Sequence, residues 1–364
     1  MPMPVDKVSL PVTPPIRILV VDDSAVIRGL ITRWLGESGG FEVVGSAGNG
    51  RVAVESVERL KPDIVLLDLE MPEMDGLTAL PLLLKVQPSA KIIVISTLTQ
   101  RNAEISLKCL SLGAVDYLPK PESSRVAGAL ADFQHDLVQK LRALGATKTR
   151  HVKPPAAPPA SQSAPLKMPP VRPKCLVIGA STGGPRAIER VLSDLGDAAA
   201  SLPILIVQHM PPMFTAVFAE HLQSLLSLPA REGRDGDALS PGTILVAPGG
   251  RHMGLAVING KPVIRLDDGA PENFCRPAVD VLFRDAAAVF GASALAIILT
   301  GMGSDGTHGA RALAQSGSTI LAQDEMTSIV WGMPGSVSRA GLARETLPLE
   351  ALGPLVKSII KKPV

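Results

Sequence analysis

The chain has 364 residues, of which 46% are hydrophobic and 19% are charged, and its formal net charge is +2. Single cores rarely grow beyond roughly 250–300 residues, so more than one domain is expected. The near-neutral charge and the aromatic content of 3% argue against a nucleic-acid-binding protein, which needs a basic surface or stacking platforms.

The cysteines and the N-terminal residues indicate the compartment. Three cysteines without paired spacing fit a reducing environment, and Cys109 and Cys175 are expected to be buried because they lie in apolar runs. The Pro-rich residues 1–15 lack the apolar core of a signal peptide, and no run approaches the roughly 20 apolar residues of a membrane span. We therefore expect a cytoplasmic protein that does not insert into a membrane.

Strand and helix patterns alternate along the first half of the chain. Apolar strand patterns cover residues 16–21, 41–47, 64–67, 91–96 and 116–118. Amphipathic helix patterns lie between them at residues 25–35, 50–60, 78–86 and 102–112. Five strands that alternate with helices predict a doubly wound parallel sheet.

Acidic side chains collect at the carboxyl ends of these strands, where such sheets bind ligands. Asp22 and Asp23 follow the first strand, Asp68 follows the third, and Lys120 follows the fifth. Three clustered carboxylates repel one another unless a cation neutralises them, and hard oxygen ligands suit Mg²⁺. One carboxylate could then accept a phosphoryl group whose charge the metal and Lys120 balance.

At these strand ends the first half resembles a two-component receiver domain with the flavodoxin-like (βα)5 fold, over residues 16–140. The resemblance implies that Asp68 is the phosphoacceptor. The implied Mg²⁺ ligands are Asp22, Asp23, Asp68 and the backbone of Glu70. The implied switch pair and phosphoryl contact are Ser96, Tyr117 and Lys120.

A Pro-rich stretch separates the two halves. Between Lys153 and Pro173, 8 of 21 residues are proline, and most of the others are Ala, Ser, Lys or Gln. Such a segment cannot form a core and is expected to be an extended, semi-stiff spacer. We predict a receiver domain at 16–140, a linker at 141–173 and a second domain at 174–362.

The second half repeats the alternation, which predicts another doubly wound parallel sheet. Strand patterns cover residues 175–178, 204–208, 243–246, 294–299 and 319–322, with a hairpin expected at 254–265. The first of these strands runs into Gly179-Ala-Ser-Thr-Gly-Gly-Pro185, a tight turn that reopens as a helix. Ser181 is therefore expected at the carboxyl edge of the sheet beside free amides, where a nucleophile, an anion or a nucleotide phosphate could sit.

A serine nucleophile needs a base within hydrogen-bond reach. Three histidines follow strands of this half, namely His209, His252 and His308. The glycine-rich loop before His308 also carries Asp305, an acid able to orient an imidazole. Position allows a triad of Ser181, His209 and Asp305, but position alone does not choose among the three histidines. His221 falls in a helix pattern and is expected at the surface.

Residue by residue, the second half resembles the catalytic domain of the chemotaxis protein-glutamate methylesterases. The matching motifs lie at residues 179–184, 208–211, 247–252, 276–283 and 300–306. The resemblance implies three catalytic residues: the nucleophile Ser181, the base His209 and its orienter Asp305. Beside them it implies an oxyanion donor, the Met302 backbone amide, and a neighbouring Thr182.

The resemblance also implies the reaction and its control. The implied activity is hydrolysis of γ-glutamyl methyl esters on methylated chemoreceptors, with deamidation of glutamines by the same route, and no cofactor is implied for the esterase. Autoinhibition by the receiver is expected to be relieved by phosphorylation from a sensor histidine kinase, in chemotaxis adaptation.

The residues alone leave three other interpretations open. The glycine turn could cradle a pyrophosphate, although the spacing G-x-G-x-x-G is absent and no clear acid closes a second strand about 20 residues on. A DNA-binding response regulator would need a smaller output domain with a basic recognition helix. An enzyme of the same class could also serve a signalling array unrelated to swimming.

Overall fold

The computed structural model describes residues 14–121, 127–146 and 171–361. Most of the predicted linker, residues 147–170, lies outside the described residues, so the domain boundaries stay a prediction. None of the helices in the described ranges is long and apolar enough to cross a membrane.

A five-stranded parallel sheet organises the described part of the first half, in the order β2-β1-β3-β4-β5. Its strands are β1 (Ile16–Val21), β2 (Phe41–Ala47), β3 (Ile64–Asp68), β4 (Lys91–Thr97) and β5 (Asp116–Lys120). The helices that pack against its two faces are α1 (Ala25–Ser38), α2 (Gly50–Leu60), α3 (Gly76–Val86), α4 (Gln100–Leu112) and α5 (Ala127–Ala146). The predicted flavodoxin-like fold is confirmed, although α5 continues past residue 140 into the stretch predicted as linker.

A seven-stranded parallel sheet forms the centre of the described second half, in the order β14-β13-β12-β6-β7-β9-β8. Its strands are β6 (Cys175–Ala180), β7 (Ile204–Gln208), β8 (Ala230–Glu232), β9 (Ile244–Val246), β12 (Ala294–Ile298), β13 (Thr319–Gln323) and β14 (Glu345–Leu347). The predicted doubly wound sheet is confirmed. The strands β8 and β14 were not predicted because each has three residues with charged side chains among them, whereas the equally short β9 is wholly apolar.

The remaining elements of the second half flank this sheet. The antiparallel hairpin β10 (His252–Ile258) and β11 (Lys261–Asp267) forms at the position predicted for it. The helices are α6 (Gly184–Leu195), α7 (Phe214–Leu226), α8 (Val279–Phe290), α9 (Thr307–Gln315), α10 (Met333–Arg339) and α11 (Leu349–Lys361).

One apolar cluster runs through both halves. Leu107, Leu110 and Tyr117 of the receiver half belong to the same buried cluster as Phe214 and Val217 of the second half. The halves therefore share a core, which fixes how their strand ends lie relative to one another.

Two helical glycines of the receiver half differ in the space around them. A Cβ at Gly76, the first residue of α3, would lie 2.2 Å from the carbonyl oxygen of Asp68, whereas a Cβ at Gly36 inside α1 would meet nothing within 4 Å. We predict that Gly76→Ala lowers the free energy of unfolding by about 1–3 kcal/mol because the backbone must move. Gly36→Ala should raise it by up to about 1 kcal/mol, since alanine loses less entropy in a helix. Urea unfolding measures both, and equal stabilities would contradict the close approach.

Candidate active site and phosphoacceptor site

The acidic residues of the first half lie together at the carboxyl edge of its sheet. Carboxylate oxygens of Asp22, Asp23 and Asp68 lie within 4.8 Å of one another. The ammonium of Lys120 lies 2.8 Å from Asp22 and 2.7 Å from Asp68, and the Glu70 N–H donates to Asp68 Oδ1 at 3.5 Å. Five residues predicted for phosphoryl transfer thus meet at one edge.

Burial controls the charges in this cluster. It raises the pKa of Asp68 from 3.8 to about 6, against the opposing effect of Lys120. Burial alone would lower the pKa of Lys120, but its hydrogen bonds with Asp22 and Asp68 outweigh that effect and raise it. The cluster therefore carries a negative charge that one lysine does not fully stabilise.

The donor set fits a hard divalent cation. All three side chains offer carboxylate oxygens, and the charge of the buried Asp22 Oδ2 is offset by the Lys120 ammonium at 2.8 Å. Mg²⁺ prefers such oxygen ligands. When bound by Asp22, Asp23 and Asp68, Mg²⁺ would supply positive charge to the oxygens of a transferring phosphoryl group.

The predicted switch residues lie in different surroundings. Ser96 is buried, and its Oγ is 3.1 Å from Ser106 Oγ on α4. Tyr117 is buried against the second half, where its ring stacks on Phe214 with centroids 4.5 Å apart and an interplanar angle of 8°. Burial raises the pKa of Tyr117 well above its usual value. Tyr117 is therefore part of the interface between the two halves.

In the second half, Ser181 and His209 follow neighbouring strands in register. Ala180 of β6 pairs with Gln208 of β7, so the next residue of each strand reaches the same edge. The His209 N–H donates to the Ala180 carbonyl at 3.1 Å. Ser181 Oγ makes no hydrogen bond with the described residues, although its carbonyl accepts one from Gln208 Nε2 at 2.9 Å.

Asp305 holds the imidazole of His209. Its Oδ2 lies 2.8 Å from His209 Nε2. Further described donors to its carboxylate are the N–H groups of Val279, Asp280 and Gly306 at 2.6, 3.0 and 2.9 Å and the Asn273 side-chain amide at 3.1 Å. Burial would raise the pKa of Asp305, but His209 and the backbone donors outweigh it and lower the pKa. The carboxylate is therefore a fixed, ionised partner for the imidazole.

The other ring nitrogen of His209 faces a thiol. Its Nδ1 lies 3.5 Å from Sγ of Cys275, which is half-buried. Burial would lower the pKa of His209, but the hydrogen bonds with Asp305 and Cys275 outweigh it and raise the pKa to about 10. Both neighbours therefore stabilise the charged form of the imidazole.

The other histidines are placed differently. Both ring nitrogens of His252 bond backbone groups, the Ala270 carbonyl at 3.0 Å and the Ala278 N–H at 3.2 Å. His308 is exposed on α9, and His221 is half-exposed and pairs with Glu189 at 3.1 Å. The structure thus brings His209 to Asp305 and leaves His252 and His308 apart from that carboxylate.

The remaining predicted site residues lie against the receiver half. The Thr182 hydroxyl donates to Asp116 Oδ2 at 2.7 Å, and Lys140 of α5 pairs with the same carboxylate. Met302 packs against the apolar cluster that contains Leu137 of α5, and its N–H donates to none of the described residues. The receiver half therefore covers one side of the candidate active site.

Several functional residues were not predicted from sequence. Cys275 and Asn273 come from an irregular loop without a pattern, and the Asp116–Thr182 contact joins residues far apart in the chain. The acid at position 116, inside an apolar strand pattern, is the one sequence signal for such a contact.

Comparison with known proteins finds two family models. The CheB methylesterase model matches residues 176–356, and the response regulator receiver domain model matches residues 18–130. A protein-glutamate methylesterase/protein-glutamine glutaminase of Rhodopseudomonas palustris is 48% identical over 365 residues, covering 94% of this chain and 93% of that protein. The corresponding protein of Bradyrhizobium diazoefficiens is 46% identical, covering 95% and 94%. The crystal structure of the Thermotoga maritima CheB methylesterase catalytic domain is 41% identical and covers 52% of this chain and 100% of that domain, with a TM-score of 0.50.

The raised pKa of Asp68 predicts how the stability of the metal-free protein depends on pH. Since its pKa is raised to about 6 on folding, ionisation destabilises the fold, and stability falls as pH rises from about 4 to 6. Asp68→Asn should raise the free energy of unfolding at pH 7.5 in EDTA by about 1–3 kcal/mol. The control is Asp75→Asn, because Asp75 is exposed and caps α3 and asparagine caps equally well. Urea unfolding tests this, and an equal gain at pH 4.5 would refute it.

Proposed function

Because the chain belongs to the CheB methylesterase family, we propose that Ser181, His209 and Asp305 hydrolyse γ-glutamyl methyl esters on methylated chemoreceptors. The protein is a protein-glutamate methylesterase with protein-glutamine glutaminase activity, and its receiver domain makes that activity dependent on phosphorylation. One observation supports this residue assignment above all: the 2.8 Å bond between His209 and Asp305 at the strand end beside Ser181.

The reaction is acyl transfer followed by hydrolysis. Ser181 Oγ attacks the ester carbonyl, and its proton passes to Nδ1 of His209, the nitrogen that does not face Asp305. The imidazolium returns the proton to the leaving methoxide, so methanol departs. A water, deprotonated by the same nitrogen, then cleaves the acyl-enzyme and leaves a glutamate side chain. With a glutamine substrate, ammonia departs instead of methanol.

The backbone N–H of Met302 is the candidate donor to the oxyanion. Its N–H makes no hydrogen bond with the described residues and is thus available to the substrate. Such a donor stabilises the tetrahedral oxyanion by roughly 3–4 kcal/mol in other hydrolases. The start of α6, behind Ser181, offers less, because the Gly184 N–H donates to the Ser181 carbonyl at 2.7 Å and Pro185 has no N–H.

The contacts between the halves support autoinhibition. Asp116 of the receiver holds the Thr182 hydroxyl, one residue from Ser181, and Tyr117 stacks on Phe214. The unphosphorylated enzyme is therefore slow because the receiver half covers its cleft.

A single short strand connects the phosphoacceptor with that contact. Lys120, at one end of β5, pairs with Asp68, and Asp116, at the other end, binds Thr182. Four residues of strand span about 13 Å. A phosphoryl group transferred to Asp68 from a sensor histidine kinase redirects Lys120, and the resulting shift of β5 weakens the Asp116 contact.

Substitutions of the proposed nucleophile and base test their roles. Ser181→Ala and His209→Ala should each lower the rate of methanol release from methylated receptor by about three or more orders of magnitude, because neither group acts without the other. His308→Ala is the matched control and should retain the wild-type rate, since His308 is exposed and apart from Asp305. A His209→Ala enzyme as active as His308→Ala would contradict the assignment of His209 as the base.

A substitution of Asp116 tests the contact between the receiver half and Thr182. Asp116→Ala should raise the methanol-release rate of the unphosphorylated enzyme about five- to tenfold, because losing the Thr182 bond removes about 1 kcal/mol or more of interface stability. Asp132→Ala, on the exposed side of α5, should leave that rate unchanged. With Mg²⁺ and a small phosphodonor, both variants should reach the wild-type rate. No rise in the Asp116→Ala rate would show that this contact does not restrain the enzyme.

A further inference from the structure

The proposed reaction does not use Cys275, yet its thiol lies against the imidazole of His209. Its Sγ is 3.5 Å from His209 Nδ1, whereas Cys109 and Cys175 are fully buried in the core. Donor atoms of His209, Cys275 and Asp305 all lie within 4.8 Å of one another. The pair of Cys275 and His209 therefore combines a sulfur donor and an imidazole donor at a half-buried position.

The thiol is held in place by its own turn. Cys275 exchanges two backbone hydrogen bonds with Glu272, at 2.8 and 3.1 Å, and the two residues between them, Asn273 and Phe274, have φ of 52° and 63°. The Asn273 side chain is bonded to both Asp280 and Asp305. The position of Sγ is thus determined by the same network that holds the catalytic carboxylate.

The distance between the two donors fits a metal ion. In tetrahedral zinc sites the Zn–S distance is about 2.3 Å and the Zn–N distance about 2.0 Å, which places the sulfur and nitrogen about 3.5 Å apart. The observed separation of Sγ and Nδ1 is 3.5 Å. We propose that Cys275 and His209 bind a thiophilic divalent cation such as Zn²⁺ between Sγ and Nδ1, and that this ion inhibits the esterase.

Asp305 has a supporting role in this site. Its oxygens already accept hydrogen bonds from His209 and from the backbone of α8, so it is not a ligand. By accepting a hydrogen bond from Nε2–H it leaves Nδ1 as the nitrogen that can bind the ion. As the Zn–S and Zn–N bonds form, the thiol proton and the Nδ1 proton of the charged imidazole are released to solvent.

Two protein ligands, rather than four, predict a reversible site of moderate affinity.

The inhibitory effect follows from the proposed function, because the ion occupies the nitrogen that must accept the Ser181 proton. Metal binding itself does not depend on that function. The receiver carboxylates differ in offering oxygen donors alone, which favour Mg²⁺.

The decisive experiment uses thiol reactivity of the full-length protein in millimolar Mg²⁺. Cys275 should be the thiol that reacts with iodoacetamide in the native state, because Cys109 and Cys175 are fully buried. Zn²⁺ should slow that reaction at least tenfold, and EDTA should restore it. In His209→Ala the thiol should still react but without protection by Zn²⁺. Equal reactivity with and without Zn²⁺ in the wild type, or full protection in His209→Ala, would overturn the site.

A parallel assay separates this inference from the proposed function. Zn²⁺ should inhibit methanol release by the wild type, and Cys275→Ala, compared with its own metal-free rate, should lose that inhibition. Cys109→Ala is the matched control and should stay sensitive. If Zn²⁺ protects Cys275 but leaves the esterase unimpaired, the metal site stands and Nδ1 is not the base.

Discussion

The buried carboxylate of Asp305 imposes the constraint on which the active site depends. An ionised acid in the interior is costly unless donors surround it. Here three segments converge to provide them: the N-terminus of α8, the loop at Gly306 and the side chain of Asn273. The helix N-terminus adds a favourable dipole to its N–H groups. The same carboxylate also bonds His209. The donors that fix the carboxylate therefore also fix the orientation of the imidazole.

In the candidate phosphoacceptor site, the pKa of a carboxyl group is shifted in the opposite direction. The pKa of Asp305 is lowered because the protein supplies its donors, whereas that of Asp68 is raised because burial exceeds what Lys120 provides. The fold itself compensates the charge of Asp305, whereas the charge of Asp68 needs a bound ligand to compensate it. This difference suits the tasks proposed for them, since Asp305 must not change during the reaction and Asp68 must gain a metal and a phosphoryl group.

The positions of site residues could be predicted from the sequence where those residues directly follow the apolar run of a strand. Asp22, Asp68, Ser181 and His209 were predicted to lie at sheet edges because apolar runs end immediately before them, and the structure has them there. The choice among the three histidines needed tertiary structure, because it depends on which ring reaches Asp305. The approach of Cys275 could not be predicted either, since its turn uses left-handed backbone at Asn273 and Phe274 rather than a repeating pattern.

The apolar cluster shared by the two halves has a thermal consequence. Separating the receiver from the hydrolase exposes Tyr117, Phe214 and their neighbours to water, so opening carries a positive heat-capacity change. Hydrophobic association weakens on cooling. In the proposed mechanism, the balance between covered and uncovered enzyme therefore depends on temperature as well as on phosphorylation, and cooling weakens the restraint on basal activity.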